Sequence, residues 1–289
     1  MIAAGPAVVS SEKFCVCCTT PRFHNRFWQV KTSIGRGTYG RVDIYRSYCG
    51  EEVAVKSSFY KREARREAAI LKQLGFHPNI IGFYDFLPHE GNLCDLLMME
   101  LGSMNLFDYL RSQFRTTPPD SVIHNFATQL LSGLHHLHSR CIVHLDLKSG
   151  NVIFGQNGTV KLADFGLSQH CFNSTSGQYV MLQGATGTQQ ICPPEAFTNE
   201  WYDAMKCDVW AFGILLLEMK NLGYSWNKPV YSDFRYYRYL KTKNCVTAPQ
   251  GSLQELIDGI LTHDWKIRPS LNQVGAHVWF SAFNHHNII

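Results

Sequence analysis

The sequence predicts an α+β protein with two lobes, a small β-rich N-terminal lobe and a larger helical C-terminal lobe. Its 289 residues suit one large domain or two small ones. The first third is rich in short strand-like runs and turns, whereas the remainder has mostly helix and loop patterns. Because 45% of the residues are hydrophobic and 17% are charged, the chain has enough apolar material for a packed core.

The domain boundaries follow from where these patterns begin and end. Residues 1–27 have no strong pattern and are predicted to form an N-terminal extension. We predict one structured domain over residues 28–282, with an N-lobe at about 28–101 and a C-lobe at about 103–282. The last residues, 283–289, are predicted to form a C-terminal tail.

The predicted N-lobe is a set of strands around one helix. Trp28 to Val55 is rich in Val, Ile, Tyr and Gly with short turns, which favours β-hairpins. Arg62 to Leu74 has apolar residues at helical spacing, and Pro78 ends that pattern. Two further strands are predicted at Ile80 to Leu87 and Cys94 to Glu100, with a polar turn between them.

The predicted C-lobe is helical. Leu106 to Phe114 and Ser121 to His138 have the patterns of helices, and a Pro-Pro-Asp sequence precedes the second one. Ala211 to Met219 is mostly apolar, but it is far shorter than the roughly 18 residues that a membrane span needs. We therefore expect a buried helix there and no membrane span.

The composition excludes other classes of protein. The formal net charge is only +4, and the Lys and Arg residues are scattered, so no nucleic-acid partner is expected. The ten cysteines are spread out without paired metal-ligand spacing, which favours reduced thiols. We expect an intracellular location, in the cytoplasm or the nucleus, and a monomer.

The strongest chemical signal lies between His144 and Gly166. Phosphoryl transfer needs a carboxylate to orient a hydroxyl, a cation on the phosphate and oxygen ligands for Mg²⁺. Asp146 is the candidate base, Lys148 the candidate cation, and Asn151 with Asp164 the candidate magnesium ligands. A hairpin between these two ligands would bring them together; the alternative is a set of polar loop residues around that hairpin.

A glycine-rich segment precedes this signal. Gly35, Gly37 and Gly40 form a G-x-G-x-x-G string, which alone is weak because it also opens dinucleotide-binding helices. Here a strand pattern follows the glycines, which suits backbone amides that approach phosphates in a hairpin turn. Lys56 on the next strand would reach the α- and β-phosphates. Glu67 is the candidate partner for this lysine, with Glu63 as the alternative.

In this order, the motifs resemble those of the eukaryotic protein kinases. The resemblance continues in Gly187 to Glu195, Asp208 to Gly213 and Asp264 to Pro269, so it covers residues 28–282. It implies the two-lobed protein kinase fold, with ATP and Mg²⁺ as cofactors and proteins as substrates. It also implies an ion pair between Glu195 and Arg268.

The resemblance further implies a set of contacts with the nucleotide. The side chains expected above and below the adenine are Ile34, Val42, Ala54 and Ile153. The remaining expected contacts are Met99 as gatekeeper, Glu100 and Gly102 through their backbones, and Asn105 at the ribose. For the apolar members, ordinary core packing is the alternative.

One position departs from the family pattern. Leu145 stands where the family usually has an arginine that binds a phosphate on the activation loop. We therefore expect activity that does not depend on such a phosphate. Lys148 and Thr188 resemble the serine/threonine kinases, so Ser and Thr are the expected acceptors.

The compact chain is similar to the serine/threonine kinases of large DNA viruses such as herpesviruses. Two alternatives stay open: a pseudokinase-like scaffold with weak catalysis, and a small-molecule kinase.

Overall fold

The computed structural model describes residues 28–37, 40–47, 50–88, 94–173, 175–223, 226–245 and 248–282. The predicted N-terminal extension, the C-terminal tail and the polar turn after residue 88 lie outside these residues. The chain forms two compact units. The first ends at Ala69 and resumes from Gly82 to Gly102; the second consists of Ile70–Ile81 and the chain from Ser103 onwards. The predicted N-lobe had included residues 70–81.

The first unit is built on one antiparallel sheet of five strands in the order β1-β2-β3-β5-β4. The strands are β1 (Trp28–Gly37), β2 (Gly40–Ser47), β3 (Glu52–Ser58), β4 (Phe83–Leu87) and β5 (Asp95–Met99). Helix α1 (Lys61–Leu74) follows β3, and its residues from Ile70 onwards belong to the second unit.

The register of this sheet sorts its residues onto two faces. Lys56 lies opposite Val42 on β2 and opposite Leu97 on β5, and Ala54 lies opposite Met99. Directly opposed residues share a face and successive residues alternate, so these five residues lie on one face. The other face bears a separate apolar cluster of Tyr45, Val53, Val55, Leu96 and Met98.

The second unit is mainly helical. Its helices after α1 are α2 (Leu106–Gln113), α3 (Asp120–His138), α4 (Ala204–Asn221), α5 (Phe234–Cys245), α6 (Leu253–Ile260), α7 (Leu271–Gly275) and α8 (Val278–Ser281). Its short strands are β6 (Ile142–Val143), β7 (Val152–Phe154), β8 (Val160–Leu162), β9 (Gln169–His170), β10 (Phe172–Asn173), β11 (Gln178–Tyr179), β12 (Met181–Leu182) and β13 (Tyr202–Asp203). They pair as β6-β9, β7-β8, β10-β11 and β12-β13.

Helix α4 lies at the centre of this unit. The Asp203 carboxylate caps its N-terminus by accepting a hydrogen bond from the Met205 N–H. Every residue from Cys207 to Met219 is buried, and the helix packs against α3 and α6. A helix that is apolar on all sides is stable only inside a core. The buried helix predicted over Ala211–Met219 is therefore confirmed.

The predicted fold class is confirmed, since a five-stranded sheet comes first and helices follow. Helices α2 and α3 match their predicted ranges within one residue. Strand β4 begins at Phe83, three residues later than predicted, because Leu162 pairs with this segment instead: it accepts from the Ile81 N–H and donates to the Asn79 carbonyl. In the described part of the chain, no helix combines the length and apolarity that a bilayer span requires.

Candidate active site

In the first unit, the candidate phosphate-binding lysine is held by a buried ion pair. The Lys56 Nζ donates to the Glu67 Oε2 at 2.7 Å, and both side chains are largely buried. Glu63, the alternative partner, lies one helical turn earlier on α1 and forms no ion pair with Lys56 among the described residues. The strand fixes one end of the pair and the helix fixes the other, so the ammonium group is held in place.

The glycine-rich segment forms the β1-β2 hairpin, in which Gly37 pairs with Gly40 across the turn. A Cβ atom on Gly40 would lie 2.2 Å from the Ser57 carbonyl oxygen, so any side chain there would clash with β3. A Cβ atom on Gly35 would meet nothing within 4 Å. Gly40 is thus needed for the packing of the strands, whereas the space beside the Gly35 backbone is large enough for another group to approach it.

The predicted adenine contacts of the first unit lie on β1, β2, β3 and just after β5. Ala54 and Met99 are buried and Val42 is half-buried, whereas Ile34 is exposed. The Glu100 backbone N–H donates to the Gly82 carbonyl at 2.8 Å, and its carboxylate accepts from the Gly82 N–H. The backbone N–H of Gly102 forms no hydrogen bond with any described residue, so it is available to a ligand.

In the second unit, the Asp146 carboxylate is the centre of a hydrogen-bond network. Its Oδ2 accepts from the Lys148 Nζ at 2.7 Å and from the Asn151 Nδ2 at 2.9 Å. Its Oδ1 accepts from the Thr188 backbone N–H at 3.1 Å. The Lys148 Nζ also donates to the Thr188 hydroxyl at 2.7 Å, so one lysine connects the carboxylate to the loop that bears Thr188.

Buried Asp208, at the start of α4, holds the backbone before Asp146. Its carboxylate accepts from the backbone N–H groups of His144 and Leu145, at 2.8 and 2.9 Å, and from the His138 Nε2 at 3.0 Å. Burial by itself raises the pKa of Asp208, but the interactions with His138 and His144 and the hydrogen bond from the Leu145 N–H together hold that pKa below its usual value. Leu145 has a φ of 64°, a strained conformation that this anchor maintains.

The two candidate magnesium ligands are brought together by the β7-β8 hairpin, as predicted. The Asn151 carbonyl accepts from the Ala163 N–H at 2.9 Å, directly before Asp164. Asp164 is exposed and has a φ of 59°. The Asn151 Nδ2 donates to two oxygens of Asp146, so the amide oxygen faces away, and no described residue donates a hydrogen bond to it. One amide oxygen and one exposed carboxylate are the hard oxygen donors that Mg²⁺ prefers.

The loop that bears Thr188 approaches Asp146 through a glycine. Gly187 has a φ of 83°, and a Cβ atom there would lie 2.9 Å from the Leu145 carbonyl oxygen and 3.1 Å from the Asp146 Oδ1. Only glycine fits both the conformation and the space.

The same loop is held at its end by the predicted ion pair. The Arg268 guanidinium bonds both carboxylate oxygens of Glu195, at 2.7 and 2.9 Å, and its other donors reach the carbonyls of Lys206 and Thr262. Arg268 is only 1% exposed and stacks over the Trp210 ring.

Comparison with known proteins identifies the family. A family model described as the protein kinase domain matches residues 28–280. The chain belongs to the protein kinase family.

Individual relatives agree with this assignment. Serine/threonine-protein kinase par-4 of Caenorhabditis briggsae is 30% identical over 270 residues, which cover 86% of this chain and 40% of that protein. Serine/threonine-protein kinase WNK4 of Mus musculus is 31% identical over 273 residues, covering 88% of this chain and 21% of that protein. CBL-interacting protein kinase 28 of Oryza sativa is 26% identical over 269 residues, covering 87% and 58%. The chain thus spans 21% to 58% of the length of these relatives.

Two predicted nucleotide contacts of this kinase domain lie in the second unit. Ile153 is half-buried on β7 and forms a backbone bridge with Asn105. Asn105 caps α2: its Oδ1 accepts from the Asp108 N–H, and its Nδ2 donates to the Asp108 carboxylate. Its side chain is therefore already engaged, and the ribose contact stays a prediction.

Glu218 belongs to none of the sequence motifs described above. This residue is buried on α4, near Ser149 and Lys148 of the segment that follows Asp146. Burial raises the pKa of Glu218 from its usual 4.5 to about 7, and Ser149 and the charge of Lys148 only partly offset this. The sequence does contain a signal for this site, since Glu218 is the single acidic residue in the apolar stretch Ala211 to Met219.

Leu145 itself is buried in an apolar cluster. The cluster includes Cys192, Ala196, Tyr202 and Cys207, and Leu182 of β12 packs against it. Cys192 and Leu182 belong to the loop between Asp164 and Glu195, so apolar packing holds that loop where the family usually has an arginine.

Proposed function

We propose that this chain is a serine/threonine protein kinase that transfers the γ-phosphate of ATP to hydroxyl groups of other proteins. The observation that supports this best is the position of Lys148, whose Nζ lies 2.7 Å from both the Asp146 carboxylate and the Thr188 hydroxyl. A base, a cation and a substrate-side hydroxyl are held together by one side chain. The names of the relatives point to the same class of acceptor.

Asp146 acts as the base in this proposal. The acceptor hydroxyl donates a hydrogen bond to the Asp146 carboxylate, its oxygen attacks the γ-phosphorus, and the carboxylate takes the proton as the bond to ADP breaks. Lys148 neutralises charge on the transferred phosphate. The Thr188 N–H holds the carboxylate from the other side, and Gly187 leaves room for this approach, so the carboxylate is oriented before the acceptor arrives.

The remaining residues bind the nucleotide. Lys56, fixed by Glu67, neutralises the α- and β-phosphates, and Gly35, Gly37 and Gly40 offer backbone amides. Asn151 and Asp164 would hold Mg²⁺, which supplies charge neutralisation on the phosphates. An intracellular location, a monomeric state and the similarity to viral kinases stay predictions of the sequence.

The test is acceptor specificity. Peptides that differ only in having Ser, Thr or Tyr as the acceptor are incubated with the chain and Mg-ATP, and phosphate transfer is counted. We expect transfer to Ser and Thr, little to Tyr, and transfer about 10²–10⁴-fold slower with Asp146→Asn. Transfer only to Tyr, or only to sugars and aminoglycosides, would overturn the proposal, and no transfer at all would favour a scaffold.

The magnesium assignment has its own test. Asp164→Asn replaces a charged oxygen ligand with a neutral one, so the thermal shift produced by Mg-ATP should shrink. The shift produced by ATP with excess chelator should change little. An unchanged Mg-ATP shift would remove Asp164 from the site.

A further inference from the structure

A large cavity lies in the second unit, away from the catalytic loop. It has a volume of about 760 Å³ and opens between the C-terminal part of α4 and helices α5 and α6. Its apolar walls include Leu217, Trp226 and Phe234. None of the residues of the Asp146 network lines it. A cavity of several hundred cubic ångströms with apolar walls is of the size that binds ligands.

The charged side chains around this cavity are mainly positive. Three cations, Arg235, Arg238 and Lys243, line it against a single carboxylate, Asp258. Helix α5 contains no acidic residue in Phe234–Cys245. Arg235 and Arg238 are exposed, and within the described residues neither guanidinium has an ion-pair or hydrogen-bond partner.

Asp258 does not neutralise these arginines. Its Oδ1 already accepts from the Tyr239 hydroxyl at 2.8 Å and from the Gln254 Nε2 at 2.9 Å. The third cation, Lys243, already has partners, since its Nζ donates to the backbone carbonyls of Asp258 and Leu261. The two arginines are therefore left as unpaired donors at the rim.

The aromatic residues of the cavity differ in exposure. Trp226 is only 2% exposed, so its ring forms a packed apolar wall. Beside it, Phe234 is 73% exposed, a large apolar side chain in contact with solvent at the rim.

We propose that this cavity is a docking site for an acidic segment of a partner protein, whose carboxylates pair with Arg235 and Arg238 while an apolar side chain enters between Trp226 and Phe234. Arginine binds carboxylates through two parallel hydrogen bonds, and aromatic residues with arginine are typical of the energetic centres of protein interfaces. The site lies outside the residues proposed for phosphate transfer. It therefore provides a second contact for a substrate or regulator of the proposed kinase.

The experiment uses a fluorescent peptide of glutamates around a central phenylalanine. The peptide has no hydroxyl acceptor and is titrated into the full chain without nucleotide, so the result does not depend on phosphate transfer. Arg235→Ala combined with Arg238→Ala should weaken binding by about tenfold or more, which corresponds to the loss of charged contacts worth about 1.4 kcal/mol. Phe234→Ser, at an exposed position, should also weaken it.

The matched control is Arg111→Ala combined with Arg115→Ala, which removes two exposed arginines from the same unit. This variant should bind as the unchanged chain does. Equal weakening by both pairs, or equal binding of a peptide with alanine in place of phenylalanine, would reduce the effect to general charge attraction and overturn the proposal. Tighter binding to single-stranded DNA or to phosphatidylserine vesicles would overturn it as well.

Discussion

The two units each contain a lysine–carboxylate pair with the same 2.7 Å separation, yet the pairs are built differently. Lys56 and Glu67 are 11 positions apart on a strand and the next helix. Asp146 instead depends on contacts from Thr188, 42 positions away, and its backbone depends on Asp208, 64 positions from His144. The first pair is a local arrangement, whereas the second needs remote support. Substitutions far from Asp146 should therefore impair the second pair, and the first should be sensitive mainly to its own two residues.

The largest effects are expected at the pairs themselves. Asp146→Asn should lower kcat by about 10²–10⁴-fold, because the acceptor loses its base, while Mg-ATP still raises the melting temperature. Lys56→Met should also lose transfer, by on the order of 10²-fold or more, and should weaken the Mg-ATP shift because a phosphate contact is gone. Turnover assays and thermal shift measure both.

Lys72→Met is the control for Lys56→Met, since it removes an exposed lysine of α1. If Asp146→Asn abolished the Mg-ATP shift and Lys56→Met preserved it, the two roles would be reversed.

The next effect concerns the ion pair between Glu195 and Arg268, which holds the end of the loop that contacts Asp146. Arg268→Ala leaves a buried, unpaired carboxylate and should cost about 3–5 kcal/mol of unfolding free energy. For a domain of this size that is a fall in Tm of roughly 6–20 °C. Arg111→Ala, at an exposed position over the Phe107 ring, is the control and should change Tm little. Similar Tm values for the two variants would show that the ion pair contributes little.

The raised pKa of Glu218 should make the free energy of unfolding depend on pH. Its pKa is raised from 4.5 to about 7, so between these values the unfolded chain ionises this group while the folded chain keeps it protonated. Its contribution to stability is complete below pH 4.5 and is lost as the pH rises to about 7. The loss is about 3 kcal/mol at 1.36 kcal/mol per unit.

Glu218→Gln removes this ionisation. The variant should gain stability relative to the unchanged chain as urea unfolding is measured from pH 5 to pH 8. Glu200→Gln, which removes an exposed carboxylate, is the control. A constant difference between Glu218→Gln and the unchanged chain at every pH would contradict the raised pKa.

These positions also separate what the sequence could predict from what it could not. Lys56 with Glu67, and the hairpin between Asn151 and Asp164, follow from spacing along neighbouring elements. The support from Asp208 and the close approach of Gly187 to Leu145 depend on chain segments that meet only in the folded unit. No local pattern encodes such contacts. Asn105 shows that a local pattern can also mislead. Its position suggests a contact with the ribose, but in the structure its side chain caps helix α2.

A smaller effect is expected at Gly187. Gly187→Ala introduces a Cβ atom against the Leu145 carbonyl and the Asp146 carboxylate, so the base is displaced. A cost of about 1.4 kcal/mol in the transition state lowers kcat/KM about tenfold. Gly184→Ala is the control, because Gly184 also has a left-handed φ of 79° but open space around its Cβ position. Equal losses in both variants would assign the effect to backbone strain alone.

The smallest effect is expected from removing phosphate, and it tests whether packing holds the loop before Glu195. Leu145 offers no donor and is buried against Cys192, Ala196 and Tyr202, so a phosphate near it would gain no charge-assisted hydrogen bond. Phosphatase-treated protein should therefore keep most of its activity towards Ser and Thr peptides.

Leu145→Arg should neither raise the basal rate nor create a dependence on phosphate. The cluster around this position is apolar, so an arginine there loses packing and buries an unpaired charge; the variant should have a lower Tm. Leu145→Met, which nearly conserves volume, is the matched control and should keep both activity and Tm. Thr175 and Thr186 are hydroxyl residues of the loop between Asp164 and Glu195. Activity that vanished with phosphatase and returned on phosphorylation of either one would contradict this interpretation. Another basic residue would then bind the phosphate. The loop that supports Asp146 and Lys148 would in that case be held by charge as well as by apolar packing.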